Sequence, residues 1–152
     1  MDVRPLTASL DIAAAPHAVW ALVADVRRTG EWSPECVRVV PVGVPRRGSF
    51  LLGINRRAKV RWATLSRVHV YEPEHEIGWT VLTNRASWSY RLEARGQGTR
   101  LTESRRTPRG EGLFAVWFTK RLLGGQDQHD DELEAGMRAG LQHIKQLVEA
   151  AT

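Results

Sequence analysis

A chain of 152 residues, 42% hydrophobic and 26% charged, has the balance of an ordinary globular domain with room for a substantial core. Its longest apolar runs, such as Leu113 to Phe118, are far too short to cross a bilayer, and a lone Cys36 excludes an internal disulfide framework. The formal charge is +5, but the arginines fall as scattered pairs (Arg27-Arg28, Arg46-Arg47, Arg56-Arg57, Arg105-Arg106), with no basic tail and no aromatic–basic RNA-binding motif. No nucleic-acid partner and no stable membrane association are therefore expected. The first residues, Met1 to Pro5, lack a charged segment followed by an apolar stretch; with the single cysteine, this predicts a cytoplasmic protein.

In chain order, loose alternation predicts a first strand over Ser9 to Ala13. Pro16 suits the first turn of a helix, and Val19, Trp20, Leu22, Val23 and Val26 recur at helical spacing as far as Val26, with Gly30 as punctuation after it. A second short helical turn is predicted over Trp32 to Cys36. Strands follow at Val37–Val42, Ser49–Asn55 with Phe50, Leu52 and Ile54 on one face, and Lys59–Tyr71 with Trp62, Thr64, Ser66, Val68 and Val70 on one face. Glu76–Leu82, Ser87–Ala94 and Thr99–Thr107 complete the strands, the last two separated by the turn Gly96-Gln97-Gly98.

After Gly110 the period changes. Leu113 to Leu123 reads as a short aromatic helix, and Asp127 to Ala151 as a long one with acidic residues at its start. Leu133, Met137, Leu141, Ile144, Leu147 and Val148 form its apolar stripe. Consecutive strands with short connections favour an antiparallel sheet, which must bury one face against that helix. The fold class is α+β: a helix-grip fold, seven antiparallel strands wrapped around a long C-terminal helix, with two short N-terminal helices. Residues 1–152 read as one domain.

Particular segments resemble the START-like (SRPBCC) superfamily, which includes birch-pollen-allergen-like proteins and the polyketide cyclase/dehydrase family. These are Ala15-Pro16-His17-Ala18-Val19-Trp20, Glu31-Trp32-Ser33-Pro34-Glu35-Cys36 after Asp25, and Gly53-Ile54-Asn55 followed by Trp62, Val68 and Pro73. Trp88 to Glu93 with Gly98-Thr99 and Glu103, then Gly136-Met137 with Leu141 and Ile144-Lys145, extend the likeness over nearly the whole chain. The resemblance implies the helix-grip fold and an internal cavity. Superfamily members bind lipids, sterols, polyketides or plant hormones, and a minority cyclise or dehydrate polyketide chains; fold does not choose among these.

Motifs for other chemistries are missing. The histidines His17, His69, His75, His129 and His143 are scattered, with no metal-ligand spacing, and no phosphate loop or nucleophile elbow is present. No cofactor and no metal are expected. Cys36 reads as a small buried thiol.

The tryptophans point inward. Trp62, Trp79 and Trp88 share the parity of Val68, Val81 and Leu92, and polar Thr64, Ser66, Tyr90, Glu103 and Arg105 share that face. Gly136 and Gly140 leave side-chain volume out of the facing helix, as a pocket requires. The expected ligand-binding set is Trp62, Thr64, Ser66, Trp79, Trp88, Tyr90, Glu103, Arg105, Phe114, Trp117, Met137, Gly140 and Leu141. Glu103 and Arg105, two apart on one strand, pair either as a structural ion pair or in a functional role. In the latter case Arg105 holds an oxyanion while Glu103 or Tyr90 relays a proton. These three are the candidate catalytic residues. The expected partner is a small hydrophobic ligand, lipid-like or polyketide-like, held in the cavity; the alternative is an aromatase/cyclase or dehydratase. The 113–123 segment reads as a pocket gate or as a homodimer contact, with membrane contact behind both.

Overall fold

The computed structural model describes residues 5–107 and 126–152, with side chains from residue 131 onward in the second segment. Its elements are β1 (Leu6–Ile12), α1 (Pro16–Val23), a 3-10 helix (Val26–Glu31), β2 (Cys36–Pro41), β3 (Phe50–Arg57), β4 (Val60–Glu72), β5 (Glu76–Val81), β6 (Ser87–Arg95), β7 (Gly98–Arg106) and α2 (Gln126–Ala151). Among the described residues the strands form one antiparallel sheet in the order β1-β7-β6-β5-β4-β3-β2. Successive strands are neighbours except β1, which pairs with β7 at the far edge. The chain crosses between the edges through α1 and the 3-10 helix. The expected helix over Leu113 to Leu123 lies outside the described residues.

Two local expectations are corrected. The second short helix is not at Trp32 to Cys36 but earlier, at Val26–Glu31, where the Thr29 hydroxyl donates to the Val26 carbonyl at 2.7 Å. Pro34 disfavours helical backbone at Ser33, so the chain turns there and enters β2 at Cys36. Gly30 sits where a Cβ would lie 2.2 Å from the Val37 carbonyl oxygen, so only glycine lets the 3-10 helix meet β2.

On β3 the face shared by Phe50, Leu52 and Ile54 is the outer, exposed one, and Leu51 and Gly53 face inward. The second correction concerns β4, whose register shifts between Val68 and Val70. This bulge gives two consecutive residues one face, so parity beyond it reverses. His69 and Val70 both stand beside Gly78 on the outside, and Tyr71 turns inward opposite Ile77 to meet Trp20 edge-on at 5.4 Å.

The core lies towards one end of the sheet. Ile12, Val19, Leu22, Ile77, Leu101, Ile144 and Val148 are buried together there. Leu141, Ile144 and Val148, the later part of the expected α2 stripe, provide the helix side of that core, and α2 packs mainly along β1. Its C-terminal end is tied down by polar contacts: Glu149 accepts from the Ala13 amide at 2.8 Å, and Lys145 donates to the Asp11 carbonyl at 3.0 Å.

A hollow half and its polar floor

Towards its other end the sheet does not close on the helix. A cavity of about 360 Å³ remains, and its described lining comes from every strand between β2 and β7, from the 3-10 helix and the turn that follows it, and from the first half of α2. Inward alternation explains the contributors on each strand: Leu51, Gly53 and Asn55 on β3; Trp62, Thr64 and Ser66 on β4; Trp79 and Val81 on β5; Trp88 and Tyr90 on β6; Glu103 and Arg105 on β7. Leu133, Gly136, Met137 and Gly140 roof it, and Trp32, Pro34 and Cys36 border one end.

The residues read from sequence fall as follows. Trp62, Thr64, Ser66, Trp79, Trp88, Tyr90, Glu103, Arg105, Met137 and Gly140 border the cavity. Leu141 does not: it turns into the packed core, 1% exposed, among Ile144 and Val148. Phe114 and Trp117 lie outside the described residues. The explanation of the two helix glycines also changes. A Cβ on Gly140 would stand 2.9 Å from the Trp32 carbonyl oxygen, and one on Gly136 would stand 2.5 Å from Pro34 Cγ. The missing side chains admit the 32–34 turn against α2, so the open volume has another origin. Small inward residues, Thr64 and Ser66, stand among large ones on this wall.

Trp32, Gly53, Asn55 and Pro34 were not foreseen as wall residues. For Gly53 and Asn55 the available signal was pairing: Gly53 lies opposite Thr64 and Asn55 opposite Trp62, so the inward parity of β4 dictates theirs. Asn55 donates to Thr64 Oγ1 at 3.2 Å, adding a polar point at this end.

The floor carries a chain of hydrogen bonds. The indole N–H of Trp32 donates to the Tyr90 hydroxyl at 3.2 Å, and that hydroxyl donates to Glu103 Oε1 at 3.2 Å. Cross-strand pairing builds it, since Tyr90 lies directly opposite Glu103 and Trp88 opposite Arg105. Glu103 and Arg105 do not pair with each other. Glu103 is bonded to Tyr90, and the Arg105 guanidinium sits over the Trp88 ring, 5.8 Å from its centroid. Of the two readings left open for this pair, the structural ion pair between them is not formed; each makes a cross-strand contact instead.

Burial sets the protonation of this floor. It pushes the Glu103 carboxyl up to about 8, against which the Tyr90 hydrogen bond pulls down. Burial, and then the neighbouring Glu103, hold the Tyr90 hydroxyl well above the usual phenol range. Burial likewise pushes the Cys36 thiol up to about 11. Near neutral pH the floor therefore offers a protonated carboxyl, a phenol and a thiol, and the thiol has no thiolate character for nucleophilic attack. Among the described residues no three His, Cys, Asp or Glu side chains gather as a metal site would require, and no helix is long and apolar enough to cross a membrane.

An antiparallel sheet gripping a C-terminal helix, with interior space at one end, is the architecture of the START-like helix-grip proteins. Residues 5–149 match the family described as polyketide cyclase / dehydrase and lipid transport, and the chain belongs to that family. Among solved structures it is similar to the Polyketide_cyc-like protein Cgl2372 from Corynebacterium glutamicum, at 30% identity, covering 97% of this chain and 92% of that one, with a TM-score of 0.62. The Zhui aromatase/cyclase from Streptomyces sp. R1128 is 17% identical over 96% of this chain and 93% of its own, with a TM-score of 0.75. Ara h 8.0201 is 12% identical over 97% and 98%, with a TM-score of 0.67. The last two likenesses speak for the fold alone. No curated protein matches the chain in sequence.

Proposed function

We propose that the protein, as one domain, holds a small, mostly apolar molecule in this cavity and places a neutral oxygen of that guest against Tyr90 and Glu103. The observation that carries the reading is the contrast within the wall. Trp79, Trp88, Leu51, Val81 and Met137 offer apolar surface, while the buried Trp32–Tyr90–Glu103 chain supplies one localised set of polar groups. The volume of about 360 Å³ falls within the range of small-molecule sites. A protonated Glu103 keeps one O–H to donate, which suits a carbonyl or hydroxyl oxygen of the guest. Holding without conversion is the simplest use of such a site, and a lipid-like or polyketide-like guest meets its chemistry.

Binding of the neutral apolar probe N-phenyl-1-naphthylamine, followed by its fluorescence, tests this. Thr64→Trp and Ser66→Leu put side-chain volume into the cavity and should each weaken probe binding about tenfold or more, a loss of about 1.4 kcal/mol. Folded variants that bind the probe as tightly as the parent would refute occupancy of this cavity.

One observation favours a second reading, the aromatase/cyclase or dehydratase. A carboxyl near 8 beside a phenol lies in the range where general acid–base catalysis is effective. Incubating the protein with a poly-β-ketone thioester separates the two. A carrier returns the probe unchanged, while an enzyme cyclises or dehydrates it and loses about a hundredfold in rate on Glu103→Gln with binding retained.

A further inference from the structure

The outside of the sheet raises a separate question from its inside. On the convex face, the register sets Val40, Leu52 and Leu65 side by side on β2, β3 and β4, and Leu82 continues the row through its amide bond to the Leu65 carbonyl. Phe50 lies in the row on one side and Ile54 in the row on the other. Leu52, Leu65 and Leu82 are 38%, 41% and 48% exposed, and the hairpin between β2 and β3 lifts Val42 and Val44 to 62% and 83%. Side chains of this kind in an unbroken block are what a soluble surface ordinarily avoids.

Charge is segregated onto the same elements. From Cys36 to Tyr71 the chain has eight basic residues and no acidic one, while the remainder has 14 basic against 17 acidic. Arginines that look scattered along the sequence are gathered by the fold. Arg56 and Arg61 are paired at one end of the β3–β4 ribbon, Arg67 stands over Phe50 at the other, Arg38 lies beside Ile54, and Arg46 and Arg47 sit in the hairpin. All six are exposed, and none forms an ion pair with an acidic residue among those described. Arg57, by contrast, bonds Glu132 of α2.

Three occupants could cover such a face. A second copy of this chain would bring a like charge against it. The apolar block, about 14 Å by about 14 Å from strand spacing and rise, is also far short of the roughly 800 Å² per partner of a stable dimer. RNA would be met by arginines and stacking aromatics, whereas the block is aliphatic with one Phe. Cationic side chains framing aliphatic ones match the boundary of an anionic bilayer, with phosphates outside and acyl chains beneath.

We propose that the outer face of β2–β4, led by the Val42–Arg47 hairpin, docks this protein reversibly on anionic lipid membranes. The arginines meet the headgroups, and the exposed aliphatic side chains enter the acyl boundary. This goes beyond the cavity reading and does not depend on it: the docking face and the cavity are opposite sides of the same strands.

Co-sedimentation with vesicles tests it, using phosphatidylcholine alone and phosphatidylcholine with one third phosphatidylglycerol. The parent protein should sediment with the anionic vesicles at low salt, stay in solution with the neutral ones, and be released by high salt. Arg46→Glu with Arg47→Glu should lower partitioning about twentyfold or more, since each basic residue near such a surface is worth about fivefold. Leu52→Gln with Leu65→Gln, at exposed positions that leave the core intact, should lower it about tenfold or more. Thr64→Trp, inside the cavity, should bind vesicles like the parent, so failure of docking is read separately from failure of the cavity reading. No binding to anionic vesicles overturns the proposal, as does equal binding to neutral ones. Binding that ignores the leucine substitutions, with single-stranded RNA bound more tightly than vesicles, also overturns it. So does a dimer in light scattering that the leucine substitutions dissolve.

Discussion

The two ends of α2 lie over the same sheet and do opposite things. From Leu141 onward its inward residues, Leu141, Ile144 and Val148, are buried in one cluster with Ile12, Val19 and Leu101. Before Leu141, Leu133, Gly136, Met137 and Gly140 overhang a void, and the strands below supply Thr64, Ser66, Tyr90 and Glu103 where the other end has Leu92 and Leu101. Strand β7 shows the change within five residues, from Leu101 in the core to Glu103 and Arg105 at the cavity. One end carries the stability that lets the other remain hollow and partly polar. A buried carboxyl among open space costs folding free energy, and a close-packed neighbour on the same elements offsets that cost.

The largest effect expected from this division is a pH dependence. The folded chain holds Glu103's proton up to about 8, whereas the unfolded carboxyl ionises near 4.5. Between those values the folded state binds the extra proton, so this group's contribution to stability is fully present below about pH 4.5 and is lost by about pH 8, a change of roughly 5 kcal/mol. Glu103→Gln should remove most of that decline. Urea midpoints at about pH 5 and about pH 8 would then differ much less in the variant, with the variant the more stable at the upper value. Equal slopes in both proteins would mean that the carboxyl is not held neutral by burial.

A pair of truncations sharpens the contrast next. Ile144→Ala opens a sealed void in the packed half and should cost about 3–4 kcal/mol. Met137→Ala, one helix but two turns away, only enlarges space that exists already and should cost about half as much. Similar losses at the two sites, read from urea unfolding with an unchanged slope, would show that the ends are packed alike.

Much of this was legible in the chain itself. The period-two runs from Ser87 to Thr107 and the stripe from Leu133 to Val148 place the inward residues of β6, β7 and α2 correctly, because those faces alternate sharply between apolar and polar. On β3 the alternation groups Phe50, Leu52 and Ile54 correctly but does not tell which way they face, because the outer face is the more apolar one. Val70 was misplaced by a bulge that no local residue type announces. The wall residue Trp32 depends on a turn packing against α2, a contact between positions about a hundred residues apart, and Glu103's partner depends on register rather than spacing along its own strand. Long-range pairings of this kind are set by the assembled sheet, and Leu141 was drawn to the cavity only because its stripe is shared by both halves.

The central claim is that the space beneath Leu133 to Gly140 exists to be filled by a guest. Native mass spectrometry of the protein purified from cells tests it directly, comparing the parent with Thr64→Trp. The account predicts a population of the parent carrying a mass excess of a few hundred daltons from a releasable apolar molecule, and its loss from the folded variant. A parent that flies bare and takes up no apolar compound from a diverse mixture, or a variant that keeps the same adduct, would contradict it.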